Sequence, residues 1–89
     1  MVLSDILRQI WSRDAAYLFA KGTGCEYRLY VYGKEDWGLH GSLTCFKKNN
    51  SGWGHPFDVN DYRPLMKMLN DWAGEDLNKL DWKPRRPIT

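Results

Sequence analysis

The chain has 89 residues, 43% of them hydrophobic and 27% charged, with five Trp, five Tyr and three Phe. A chain of this length buries surface for one hydrophobic core only, and this composition lies outside the disordered range, so we expect a single folded domain. The formal net charge of +2 is too small to hold a polyanion through the global field alone. Charge therefore gives little support to nucleic-acid binding.

The first residues are too polar for a targeting or membrane segment. Asp5, Arg8 and Gln9 interrupt the first apolar stretch, so neither a signal peptide nor a membrane helix is predicted. The predicted compartment is the cytoplasm. There Cys25 and Cys45 are expected to be reduced thiols rather than a disulfide bridge.

The first predicted element is a helix. Apolar residues recur at helical spacing from Leu3 to Trp11, and Ser4 is a candidate N-cap. Asp5 suits the positive end of a helix dipole. These signals together predict a helix at the start of the domain.

The run 15–20 has two interpretations. It either continues the first helix, with Gly22 as its stop, or forms a strand that the turn 22–24 joins to the next strand. We expect the helix, because the alanines at both ends of the run and the Lys21-Gly22 pair fit a helix stop better than a strand.

From Cys25 the apolar period changes to two, which predicts an antiparallel hairpin with strands at 25–32 and 38–47. Its predicted inward face consists of Cys25, Tyr27, Leu29, Val31, Leu39, Leu43 and Cys45. Matching the apolar sets gives a register that pairs Val31 with Leu39, Leu29 with Gly41, Tyr27 with Leu43, and Cys25 with Cys45. A shift by two residues would preserve the faces but separate the cysteines.

The C-terminal half begins with turn-forming residues at 47–54. Residues 55–57 form a candidate third strand, which Pro56 restricts to an edge of the sheet. A second helix is predicted to start from a cap within 58–61, with Pro64 in its first turn. Its core stripe is Leu65, Met68, Leu69 and Trp72, with Gly74 as the stop. A short helical turn is expected at 75–80.

The predicted fold is therefore a small α+β domain: a helix, a two- to three-stranded antiparallel sheet and a second helix. The domain spans 1–82, and 83–89 are predicted to form a basic, proline-containing tail that is extended rather than packed. Both helices would pack on the apolar face of the sheet, which leaves the other face to solvent or to a partner.

The polar, aromatic side of the hairpin is the main candidate site. Tyr30 lies opposite His40 in the predicted register, with Arg28 and Tyr32 nearby, and Trp37 projects from the hairpin loop. Such a set is typical of protein interfaces, and the same rings can stack on bases. The structural alternative is that these rings only stabilise the sheet or lie under the third strand and the tail.

Five further basic residues are candidates for phosphate contacts. They are Lys47, Lys48, Lys83, Arg85 and Arg86. They would form a groove with Arg28 if the tail returned over the sheet. The alternative, a solvated tail beside a turn, needs no function.

Neither a metal site nor an enzyme active site is predicted. Strand parity places His40 on the face opposite Cys45, so the cysteines and histidines cannot converge on one ion. His40 and Ser42 near Glu26 are the residue types of a hydrolase, but no nucleophile elbow accompanies them. We expect no cofactor.

The sequence favours a small non-enzymatic protein-interaction module, an adaptor or an inhibitor, which engages a protein partner through this face and the Trp37 loop. Stand-alone inhibitors of viral or mobile-element origin are often of this size. A nucleic-acid-binding domain that uses the same aromatic residues and the scattered Lys and Arg is the alternative. A homodimer through the face or a strand edge stays open.

Overall fold

The computed structural model describes residues 2–10, 14–35, 38–47 and 52–84. Its two helices are α1 (Leu3–Arg8) and α2 (Leu65–Ala73), and a single 3-10 turn spans Leu77–Lys79. Its strands are β1 (Ala15–Gly22), β2 (Cys25–Gly33), β3 (Leu39–Lys47), β4 (Gly52–Val59) and β5 (Lys83–Pro84). A Cα radius of gyration of 12.3 Å is that of a compact domain of this length.

All five strands form one antiparallel sheet in the order β4-β3-β2-β1-β5. The predicted fold class, a two- to three-stranded sheet flanked by helices, is therefore wrong. The error lies mainly in 15–20, where the expected helix is β1. Because β1 pairs with β2 along its whole length, the backbone groups that a helix would satisfy internally are satisfied by the sheet.

The two-residue turn between β1 and β2 explains this arrangement. Gly22 pairs with Cys25, so only Thr23 and Gly24 lie between the strands. Gly24 has φ 76°, a left-handed conformation that glycine adopts without steric cost. The Gly22-Thr23-Gly24 segment thus closes a hairpin instead of ending a helix.

The register between β2 and β3 is shifted by two residues from the predicted one. Val31 pairs with Gly41, and Cys25 pairs with Lys47. β2 continues through Gly33, whose N–H donates to the Asp14 carbonyl at 2.7 Å, and this extension moves the loop along the chain. The shift is even, so the predicted faces of the hairpin are preserved while the two cysteines no longer face each other.

The core lies on one side of the sheet only. Inward-facing strand residues, the buried leucines of both helices, Leu77 and Trp82 form one buried cluster. Leu3 and Leu7 come from α1, and Leu65 and Leu69 from α2, as their helical spacing requires.

A side chain from near the end of the chain binds the start of α1. Ser4 is not the cap of α1: Val2 occupies that position, and the Ser4 N–H donates to Asn78 Oδ1 at 2.9 Å. Residue Asn78 belongs to the 3-10 turn, so this bond ties the start of the chain to its end. The α2 helix begins after Pro64 without a side-chain cap and ends at Gly74 with φ 76°.

The segment after the 3-10 turn is packed against the core. Trp82 is 1% exposed, and its Nε1–H donates to the Leu77 carbonyl at 2.7 Å. Lys83 and Pro84 then pair with Phe19 and Leu18 of β1. Residues 83 and 84, predicted as part of an extended tail, are therefore the outermost strand of the sheet.

Candidate functional site

The side of the sheet away from the core presents one continuous surface, which we call the outward face. Antiparallel pairing arranges its side chains in rows across the strands. It consists of Tyr17, Phe19, Lys21, Glu26, Arg28, Tyr30, Tyr32, His40, Ser42, Thr44, Phe46, Pro56, Asp58 and Lys83. No helix that the structure describes packs on it, because both helices contribute to the core on the opposite side.

Four of the predicted partner-binding residues lie on this face. Arg28, Tyr30 and Tyr32 project from β2, and His40 projects from β3. Their neighbours differ from the prediction, since Tyr32 rather than Tyr30 is opposite His40. The fifth predicted residue, Trp37, lies outside the described residues.

Three further aromatic rings lie on this face: Phe46, which strand parity predicts, and Tyr17 and Phe19, which the sequence did not predict there. Tyr17 and Phe19 come from β1, and Phe46 comes from the end of β3. The Tyr17 and Tyr30 rings lie 4.8 Å apart, and Tyr17 is 40% exposed. The alternation of Tyr17, Phe19 and Lys21 with smaller apolar residues was the available signal, and the helix interpretation of 15–20 obscured it.

Arg28 is held in place at the centre of the face. Its Nε donates to Glu26 Oε2 at 2.9 Å, and its guanidinium carbon lies 4.3 Å from the centre of the Phe46 ring. Both contacts limit the rotamers of a side chain that is 40% exposed. The charge of Arg28 is also compensated within the face.

A second ion pair lies near the β3–β4 side of the face. Lys34 forms an ion pair with Asp58, which is opposite His40. The hydrogen bond from Lys34 lowers the pKa of Asp58, and the nearby His40 contributes in the same direction. At neutral pH this corner of the face therefore holds an ionised carboxylate bound to a cation.

The geometry does not support the hydrolase pairing of His40 with Glu26. His40 is opposite Tyr32, six residues along β2 from Glu26, which corresponds to about 20 Å. His40 makes no hydrogen bond to Ser42 or Asp58 among the described residues, so no base–nucleophile pair is formed there.

Of the five predicted phosphate-contacting residues, the structure describes Lys47 and Lys83, and these two lie apart. Lys47 is the last residue of β3 and lies on the side of the sheet that carries the core. Its Nζ is 4.9 Å from the centre of the Trp53 ring. Lys83 lies on β5, 3.8 Å from an Asp81 carboxylate oxygen. Lys48, Arg85 and Arg86 lie outside the described residues. Within 2–10, 14–35, 38–47 and 52–84, no three His, Cys, Asp or Glu side chains converge on a possible metal position.

The opposite side of the sheet carries a cleft of about 410 Å³. We call it the Glu75 cleft. It is bounded by the β1–β2 turn, the adjoining ends of β3 and β4, and the end of α2. Its lining residues are Thr23, Cys25, Tyr27, Cys45, Lys47, Trp53, Trp72, Ala73, Gly74 and Glu75. Nothing in the sequence pattern indicated this site, since Thr23 and Glu75 are 52 residues apart.

Both cysteines line this cleft as free thiols in diagonal positions, because Cys45 pairs with Tyr27 and Cys25 pairs with Lys47. Cys45 is 6% exposed, whereas Cys25 is half-buried. Burial, reinforced by the neighbouring Cys25 thiol, raises the pKa of Cys45 to about 11. The Cys45 thiol is therefore protonated at neutral pH and a poor nucleophile.

We expect iodoacetamide at pH 8 to modify Cys25 much faster than Cys45 in the native protein. The raised pKa of Cys45 reduces its thiolate fraction by roughly a hundredfold relative to an ordinary cysteine, and burial blocks access. Peptide mapping by mass spectrometry measures the two rates, with the urea-unfolded chain as the control in which both react. Equal native rates would contradict the burial of Cys45.

In the described part of the chain, the fold is a small antiparallel-sheet domain with both helices on one side of the sheet and an aromatic surface on the other. Comparison with protein-family models, with curated proteins and with solved structures finds no match to the chain. Among the helices that the structure describes, none is long and apolar enough to cross a membrane.

Proposed function

We propose that the chain is a small non-enzymatic protein-interaction module that binds a protein partner through the outward face. The observation that carries this proposal is a set of five aromatic side chains on a sheet surface that no described helix covers: Tyr17, Phe19, Tyr30, Tyr32 and Phe46. Tyr17 is exposed and the other four rings are half-buried. Tyrosine and phenylalanine supply large contact area at low conformational cost and are enriched at protein interfaces.

The dimensions of the face suit a protein partner. Four strands of eight or nine residues, about 4.8 Å apart, give a projected area of roughly 500 Å². A standard interface buries about 800 Å² of accessible surface on each partner, which a corrugated face of this size and its rim can supply.

The charge distribution favours a protein over a nucleic acid. Arg28 is neutralised by Glu26, and the Lys34 ammonium is neutralised by Asp58. Among the described residues, the other cations of the face are Lys21 and Lys83, which lie near the β5 edge and do not form a track across it. A phosphate backbone requires a continuous cationic path, whereas a protein interface uses an ordered, stacked arginine among aromatic rings.

One binding face on a domain of this size fits an inhibitor that occludes its partner or an adaptor that presents the chain to it. A reducing compartment such as the cytoplasm suits the two free thiols. In this proposal the centre of the face, where Tyr30 and Arg28 lie, contributes most of the binding energy.

The test compares three purified baits: the unmodified chain, Tyr30→Ala and Lys67→Ala. Lys67 is a matched control because its side chain is 86% exposed on α2, on the core side of the sheet. We expect Tyr30→Ala to weaken binding of a specific partner by about tenfold or more, as for an interface hot spot, and Lys67→Ala to leave it unchanged. Circular dichroism confirms that all three baits are folded.

A partner retained equally by all three baits would show that the outward face is not the binding surface. A parallel titration with single-stranded DNA and RNA oligonucleotides at low salt tests the alternative. Oligonucleotide binding that requires Tyr30 and falls steeply with salt would replace the protein-partner proposal with a base-stacking one.

A further inference from the structure

The Glu75 cleft contains a carboxylate without a cationic partner. Glu75 is half-buried, and no Lys, Arg or His among the described residues forms an ion pair with it. Its hydrogen bonds come from neutral donors: the Tyr27 hydroxyl at 2.7 Å, the Thr23 N–H and the Thr23 hydroxyl. A partly buried negative charge that lacks a counterion favours binding of a cation.

These neutral donors leave the carboxylate little remaining capacity to accept hydrogen bonds. Oε1 accepts from the Thr23 N–H and hydroxyl, both at 3.4 Å. Oε2 accepts from the Thr23 N–H at 3.3 Å and from Tyr27 at 2.7 Å. The Thr23 N–H is shared between the two oxygens, so three donors make four contacts with a carboxylate that offers about four lone-pair sites. Glu75 thus lacks a charge partner but has few free acceptor sites.

The arrangement of Tyr27 and Glu75 depends on a glycine. A Cβ at Gly22 would lie 2.3 Å from Tyr27 Cε2 and 2.8 Å from Glu75 Oε2. Glycine is required there because it leaves space for both groups. Burial, followed by the hydrogen bond to Glu75, raises the pKa of Tyr27, so its hydroxyl stays protonated and remains a donor.

Two tryptophan side chains also line the cleft. Trp72 stacks on His55 with ring centres 5.6 Å apart, which fixes one indole. Trp53 is 49% exposed, and the Lys47 ammonium lies 4.9 Å from its ring centre. An internal cation therefore already contacts this ring by a cation–π interaction, and its flexible side chain can move away.

We propose that the Glu75 cleft binds a methylated ammonium group, a cation that carries few or no N–H donors. Such a group satisfies the charge of Glu75 without needing its occupied lone pairs, and it contacts the indole faces through its methyl groups. The group can belong to a free quaternary amine or to a trimethyllysine side chain. The cleft lies on the side of the sheet opposite the outward face, so this proposal is independent of the proposed partner-binding function.

The test uses choline, its uncharged carbon isostere 3,3-dimethylbutanol of nearly equal shape, ethanolamine, which has the ammonium without the methyl groups, and a trimethyllysine peptide with its unmethylated form. Titrations are followed by NMR of the indole N–H signals of the whole chain. We expect choline to bind about tenfold more tightly than both 3,3-dimethylbutanol and ethanolamine. Comparison of choline with the trimethyllysine peptide and its unmethylated form then identifies the source of the group.

Three variants test whether the side chains of Glu75, Trp53 and Lys47 determine choline binding. Glu75→Gln and Trp53→Ala are expected to weaken choline binding about fivefold or more, since one removes the charge and the other a ring. Lys47→Ala is expected to strengthen it, because it removes the competing internal cation. Lys67→Ala, on the exposed side of α2, is the control without effect.

Absence of choline binding at about 10 mM would overturn the proposal. Equal binding of 3,3-dimethylbutanol would overturn it as well, because the cleft would then recognise shape alone. Tighter binding of ethanolamine would contradict the argument from occupied lone pairs. Thermal unfolding of Glu75→Gln separates loss of the site from loss of the fold.

Discussion

Replacing Trp82 with alanine is expected to lower the free energy of unfolding by about 3 to 5 kcal/mol, a large share of the total stability of so small a domain. Trp82 is 1% exposed and fills the core where the last strand joins the sheet. The substitution leaves a cavity and removes the indole donor from the Leu77 carbonyl. It also weakens the attachment of β5 to β1, which consists of only two residue pairs.

Urea and thermal unfolding followed by circular dichroism measure this effect, and we expect Tm to fall by roughly 15 °C or more. Trp82→Phe retains most of the ring and loses the N–H, so it separates packing from the hydrogen bond. Trp53→Ala is the matched control, because that tryptophan is 49% exposed and should change stability by about 1 kcal/mol or less. A small effect of Trp82→Ala would mean that the end of the chain is not part of the core.

The packing of Trp82 illustrates what the sequence could not reveal. Proline and basic residues after position 82 are typical of a solvated tail. Local composition does not show that a side chain inserts between elements that are distant in the sequence. The 3-10 turn before it is tied down by Asn78 and Asn70, which bind the backbone of Ser4 and Leu77. The bond between Asn78 and Ser4 joins residues 74 apart in the chain, and local sequence does not indicate contacts of this kind.

The β1 strand shows how pairing overrides local preference. Alanine at positions 15, 16 and 20 favours a helix, and this preference outweighed the alternation of large outward and smaller inward side chains. In the structure, Leu18 and Ala20 are buried while Tyr17 and Lys21 are exposed, which is the period of a strand. A neighbouring strand with matching period stabilises the extended form, and single-segment propensity does not include that neighbour.

Within the hairpin, strand parity predicted which side chains share a face but not their exact neighbours. Residues Arg28, Tyr30, Tyr32 and His40 lie together as predicted, because any even shift of register preserves the faces. The shift by two residues changed the cross-strand pairs and moved Cys45 opposite Tyr27. Only loop geometry fixes this choice, and a polar, glycine-bounded loop gives little information about it.

The Glu75 cleft was beyond any argument from local sequence. Its carboxylate and its aromatic walls come from the β1–β2 turn, β2, β4 and the end of α2, and none of these residues belongs to a recognisable motif. The sequence predicts Gly22 only as a helix stop or a turn residue, whereas its role in the structure is to leave space for Tyr27 and Glu75. Steric requirements of this kind become visible only when the fold is known.

Replacing Gly41 with alanine is the other substitution with a large expected effect. Gly41 lies in the middle of β3, between Val31 of β2 and Phe57 of β4. A Cβ at this position would lie 2.0 Å from the Tyr30 carbonyl oxygen and 3.0 Å from the Val31 Cα. Both contacts are with backbone, so no side-chain rotation relieves them.

The central strands must therefore separate or shift to admit one methyl group, and we expect the free energy of unfolding to fall by about 3 kcal/mol or more. Displacement of β2 against β3 would also move Tyr30 and Arg28, so partner binding by the outward face should weaken in the same variant. Urea unfolding gives the stability change, and backbone amide NMR shifts show whether the change is centred on β2 and β3.

Gly54→Ala provides the matched control within the same sheet. Its Cβ would make ordinary contacts of 3.4 Å with Thr44 Oγ1 and 3.6 Å with the Leu43 carbonyl oxygen. Because alanine also restricts the unfolded chain, we expect Gly54→Ala to be neutral or to stabilise the domain by up to about 1 kcal/mol. Equal effects of the two substitutions would contradict the close approach of β2 and β3 at Gly41, and with it the register that places the aromatic rings on one face.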